Sequence, residues 1–152
     1  MVTLGVIINS NMPSQQWNSI LPTLEKLTIH TNISPMIFCD MPPTQAITVN
    51  IPIFSLVDAF GFDGITIANN LSSAHSSLLL PNVKKRYFYM WDLEWLLPNY
   101  FGFNMAHSIY TDPKITLISR HKNHYNIFKK CWKTPNFIIE EFNYDDIYKL
   151  LQ

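Results

Sequence analysis

Glycine is scarce in this chain, with four in 152 residues at positions 5, 61, 64 and 102. That scarcity removes two nucleotide-binding motifs: no GxGxxG follows the first apolar run, and no GxxxxGK[ST] occurs anywhere. Cysteine is scarcer still. Cys39 and Cys131 stand without CxxC spacing, which gives no basis for a disulfide framework or a structural zinc. The histidines lack HExxH or any carboxylate-paired spacing suited to a metal, and no GxSxG elbow marks a hydrolase nucleophile. No apolar run approaches the roughly 20 residues that span a bilayer. The opening, Met1 to Asn9, has no basic n-region and reads as a first strand, not a signal peptide, so a cytoplasmic protein is expected. No period of about 20 to 50 residues supports a solenoid.

What is present is apolar and balanced. Hydrophobic residues make up 47% and charged residues 14%, with 11 basic and 11 acidic side chains cancelling to zero. This composition argues against disorder and against a strongly basic nucleic-acid coat, although a local basic patch stays open. The length suits one compact core, so residues 1–152 are expected to form a single domain.

Short continuous apolar runs alternate with helical spacing along the chain. Val2 to Ile8 is the first run. Trp17, Ile20, Leu21, Leu24 and Leu27 then recur at three and four behind a Ser14 N-cap, although Pro22 is expected to kink or split that helix. Met36 to Cys39 reads as a second strand, closed by Pro42-Pro43. The stretch from Thr44 to Gly61 resists assignment because Pro52 interrupts a strand-like pattern. Gly64 to Ala68 is a buried strand, Leu71 to Leu80 a helix, Lys85 to Trp91 an aromatic strand, and Asp92 opens a short helical segment through Leu97 that Pro98 ends. Ile115 to Ile118, His121 to Trp132, Phe137 to Ile139 and Asn143 to Leu151 repeat strand, helix, strand, helix. These are βαβ units, and they predict an α/β, Rossmann-like three-layer domain with a mostly parallel sheet.

In such sheets ligands sit beyond the carboxyl ends of the strands. Asn9, Ser10 and Asn11 after the first strand could offer backbone N–H groups to an anion, or form an ordinary polar turn. Asp92 follows the aromatic run directly. It reads either as a proton acceptor at the ligand edge or as an N-cap for Leu93 to Leu97. Glu94, two residues on, would not share its helical face. Arg120, His121, Lys122 and His124 form a basic cluster at a strand-to-helix junction, and Lys84, Lys85 and Arg86 a second one. Trp91, Trp95, Tyr100 and Phe101 could stack a base or sugar, yet lysines on the outer side of a helix are commonly just solvated.

The string from Lys85 to Pro98, KRYFYMWDLEWLLP, resembles the late aromatic strand and following turn in the N-terminal, acceptor-type domain of GT-B glycosyltransferases, especially the bacteriophage DNA glucosyltransferases. The tail from Lys114 to Ser119 and from Phe137 to Tyr144 is similar to the next βαβ of that domain. The resemblance implies that Asp92 is the general base, deprotonating an acceptor hydroxyl while the sugar leaves its nucleotide with inversion. It implies donor or anion contacts at Asn9, Ser10, Asn11, Arg120 and His121, and acceptor contacts at Lys84, Lys85, Arg86 and Trp95. No tightly bound cofactor or metal is implied, and a UDP-sugar type of nucleotide sugar would be the donor. Glycine, common in the family after the first strand, is absent here. A GT-B enzyme also needs a second Rossmann-like domain, so a split or degenerate member is expected, in a host's cytoplasm if viral: either a second chain supplies the donor domain, or the sequence is a fragment, or the fold is kept for binding without transfer. The acceptor could be anionic, nucleic acid included. The other reading is a non-catalytic module that associates with a protein partner or with itself as a homo-oligomer, without a membrane.

Overall fold

The computed structural model describes residues 2–9, 12–41, 50–97 and 102–152. The apolar runs become β1 (Val2–Ile8), β2 (Ile33–Cys39), β3 (Ile53–Ser55), β4 (Gly64–Ala68), β5 (Val83–Met90), β6 (Ile115–Ser119) and β7 (Phe137–Ile138). They lie in the order β3-β2-β1-β4-β5-β6-β7, every pair parallel. β4 is buried at all five positions, as a strand covered on both faces must be. Helices α1 (Ser14–His30) and α5 (Tyr144–Leu151) cover one face of the sheet, and α2 (Leu71–Leu79), α3 (Phe103–Thr111) and α4 (Lys122–Cys131) cover the other. The result is a Rossmann-like three-layer α/β domain. No helix among the described residues is long and apolar enough to cross a membrane.

The two-residue period of β5 divides its aromatics between these layers. Tyr87, Tyr89 and Trp91 enter the core under α1 and α5, whereas Phe88 and Met90 enter the core under α2, α3 and α4. Phe88 stacks on Tyr110 of α3 at 5.7 Å between ring centroids. The Tyr89 hydroxyl donates to the Ile139 carbonyl at 2.6 Å and accepts from the Phe142 N–H at 3.0 Å. It thereby fixes a turn in which Glu141 and Phe142 both take positive φ, 54° and 50°. Burial pushes the Tyr89 phenol well above its ordinary range, so it stays a neutral donor.

Three features depart from expectation. Pro22 does not split α1, which runs unbroken for 17 residues. Pro22 and Asn18 are both exposed, so the Asn18 carbonyl left without its helical partner faces water. β2 begins at Ile33, ahead of Met36, because Ile33 pairs with Val2; Pro35 is tolerated there since β3 pairs only Ile37 to Cys39. α3 was not anticipated at all, although Ala106, Ile109 and Tyr110 bury at helical spacing. Of the unassigned stretch, residues 44–49 lie outside the described residues, and from Ile53 on it makes β3 and a 3₁₀ turn from Leu56 to Gly61.

Candidate functional site

The strand order reverses between β1 and β4, since β2 flanks β1 on one side and β5 flanks β4 on the other. Polar side chains bridge this switch point. Asn69, 3% exposed just after β4, donates through Nδ2 to Gln16 Oε1 at 3.0 Å and contacts Met12 Sδ at 2.8 Å, tying the strand to the first turn of α1. Asn70 caps α2 through its Oδ1 on the Ser73 N–H at 2.8 Å. Half-buried Asn9 accepts the Met12 N–H at 3.1 Å through its carbonyl, while Ser10 and Asn11 lie outside the described residues.

One strand over, β5 hands the chain to Trp91 and Asp92 at the same carboxyl edge. Asp92 is exposed, and the 3₁₀ turn Glu94–Leu96 starts after Leu93 with no side-chain cap, so the carboxylate is not serving as an N-cap. Two titratable groups, Glu94 and His124, feel its charge. Glu94 Oε1 and Oε2 accept the Leu71 N–H at 2.9 and 3.1 Å, seating the carboxyl on the N-terminus of α2. Burial pushes that carboxyl up to about 7, Asp92 adds to the rise, and the Leu71 bond opposes it. His124 of α4 is held below the ordinary imidazole range by burial first and then by His121 and Arg120, with Asp92 opposing. The His121 and His124 rings lie 3.9 Å apart, and His121 Nδ1 accepts the His124 N–H at 3.4 Å as the cap of α4.

Arg120, just after β6, lays its guanidinium 4.8 Å from the centre of the Trp91 ring and meets Glu141 at 3.5 Å. Trp91 is 2% exposed, and among the described residues no hydrogen-bond partner meets its Nε1 or His124 Nδ1. The carboxyl edge thus brings together Asp92, Glu94, Arg120, His121 and His124, and burial places the midpoint of Glu94 near neutrality.

The second basic cluster is not part of it. Lys84, Lys85 and Arg86 occupy the amino-terminal half of β5, and Lys85 stands seven residue steps before Asp92, about 23 Å along an extended chain. Arg86 donates to the carbonyls of Ser77 at 2.9 Å, Val83 at 3.1 Å and Leu80 at 2.6 Å, completing the C-terminus of α2. Lys84 pairs with Asp63 at 2.9 Å on the surface. Trp95 packs edge-on against Tyr110, Phe128 and Trp132 at 5.5, 4.8 and 5.6 Å, on the face away from Trp91. Tyr100 and Phe101 lie outside the described residues.

No family model, curated protein or solved structure gives a significant match to this chain. The site therefore has to be read from its own residues. Gln16 is the member that sequence reasoning passed over, and Glu94 was read only as a neighbour of Asp92 off its helical face. A carboxylate embedded in Trp91-Asp92-Leu93-Glu94-Trp95-Leu96-Leu97 was the available signal for Glu94, and nothing local marks Gln16.

Proposed function

We propose that this chain is the acceptor-side domain of a glycosyltransferase of GT-B type, split or degenerate, acting on a nucleotide sugar and a hydroxyl-bearing acceptor. The observation that carries the reading is Asp92, exposed at the carboxyl end of a central parallel strand and flanked by Glu94 and His124. In the proposed step the Asp92 carboxylate takes the acceptor hydroxyl proton. The oxygen then attacks the anomeric carbon from the face opposite the leaving group, the bond from that carbon to the phosphate oxygen breaks, and the nucleoside diphosphate departs with the electron pair. Arg120, at the same edge, supplies positive charge towards the diphosphate. A partner chain or further domain would provide most donor contacts, because an open edge alone does not hold two substrates in register. Acceptor contacts would come from the carboxyl edge, since Arg86 is engaged and Lys84 and Lys85 are remote.

Calorimetry with a panel of nucleotide sugars tests this, alongside size-exclusion chromatography. Weak donor binding by the wild-type chain, retained in Asp92→Asn, is the expected result; once a donor-side partner is supplied, sugar transfer should appear with the wild type and be lost in Asp92→Asn. Wild-type transfer in Asp92→Asn would remove the residue from the mechanism. A second reading, a non-catalytic association module, is favoured by Met41, Phe54, Val57 and Phe60 around β3, which are 57%, 42%, 74% and 54% exposed. A stable dimer with no heat from any nucleotide sugar would support it instead.

A further inference from the structure

We infer that Glu94 is a positioning residue: by seating its carboxyl on the N-terminus of α2 it holds the strap from Asp92 to Leu97 in place, and so sets where Asp92 stands at the sheet edge. Its bearing on catalysis rests on the function proposed above; the seating itself does not.

The strap has little regular structure to fix it. It leaves β5 at Met90 and makes one three-residue 3₁₀ turn. Two anchors tie it to the body of the protein. Trp95 inserts edge-on among rings of α3 and α4, and Glu94 reaches a backbone N–H 23 residues earlier in the chain. The first anchor fixes the far part of the strap. The second lies two residues from Asp92. Leu71 is the first residue of α2, whose amide has no partner within the helix, and the first turn carries no acidic side chain that could serve in place of Glu94.

The charged and titratable surroundings give the seat a pH dependence. Asp92, on the strap itself, faces Glu94 and repels its charge; His124 of α4 acts on Asp92; beneath the carboxyl α2 offers the Leu71 N–H; and α3 and α4 present the rings of Tyr110, Phe128 and Trp132 to the neighbouring Trp95. The seated carboxyl binds its proton more tightly than a lifted, hydrated one, with midpoints of about 7 against 4.5. By linkage, raising the pH through that interval favours the lifted strap by up to about 300-fold. The strap is therefore tightest below neutrality and loosens above it, carrying Asp92 with it.

The test is an amide and indole NMR pH titration of the isotopically labelled chain from about pH 5 to 9, with no nucleotide sugar present. In the wild type the Leu71 amide, the Asp92 and Leu93 amides and the Trp95 indole should move together with one midpoint near 7. In Glu94→Gln, which keeps the shape and the acceptor oxygen, the shared titration should vanish while the dispersion of a folded spectrum persists. A flat Leu71 amide in the wild type would overturn the proposal, as would a Leu71 titration that leaves residues 92 and 93 unmoved. Should transfer be detected, the pH profile of kcat should lose its limb near 7 in Glu94→Gln, and an unchanged profile would also count against a positioning role. A chain that binds no donor yet shows the concerted titration would refute the function while leaving the seat intact.

Discussion

Tyr89 satisfies a buried carbonyl and a buried N–H through one hydroxyl, and both belong to the turn that joins β7 to α5. Tyr89→Phe removes the hydroxyl and leaves both groups unpaired under a fully buried ring. The expected cost is about 1–3 kcal/mol, read as a lower denaturant midpoint with an unchanged slope. Residues also differ in how openly the sequence announced them. The place of Asp92 at the carboxyl edge was legible because the apolar, aromatic-rich run from Tyr87 to Trp91 ends on it, and a parallel sheet exposes strand ends there. Glu94 was not, because its partner is a backbone N–H that only the α2 terminus makes available, 23 residues away. Arg86 shows the opposite case: a guanidinium beside two lysines reads as a free cation, whereas it donates to two carbonyls at the end of α2 and to that of Val83 at the start of β5.

Elements were read well where apolar periodicity was strong and poorly where proline or a sparse pattern intervened. β4 matches its expected bounds and α5 lies within its own, whereas α3 hid behind a pattern too short to stand out from its polar flanks. Close approach of β1 and β4 could not be read at all. A Cβ on Gly64 would lie 2.5 Å from the Thr3 carbonyl oxygen and 2.7 Å from the Phe62 ring. Gly64→Ala must therefore push two paired strands apart, and a loss of about 1–3 kcal/mol in denaturant unfolding is expected. The strap offers a second test at this scale. Glu94 has its midpoint raised, so the stability it gives is full below about 4.5 and is lost as pH rises through about 7. At about 1.4 kcal/mol per pH unit the wild type should lose up to about 3 kcal/mol relative to Glu94→Gln between pH 5 and 8. His124, with its midpoint lowered, acts in the opposite sense, contributing stability above about 6.5 that fades as pH falls. Comparing wild type and variant at both pH values isolates the Glu94 part.

For the whole molecule, zero net charge and the division of its cations between two edges limit what the surface can attract. Retention of duplex DNA should be negligible at micromolar chain in about 150 mM salt, and a gel-shift titration checks this. The topology, by contrast, puts the switch point, the α2 terminus and the titratable side chains Asp92, Glu94 and His124 along one edge. The most direct measurement of the central claim is chemical-shift mapping of the labelled chain titrated with UDP-glucose and other nucleotide sugars. The account predicts perturbations confined to residues 69–71, 91–94 and 119–124 at the carboxyl edge; shifts centred on Lys84 to Arg86 at the opposite edge, or none at millimolar ligand, would contradict it.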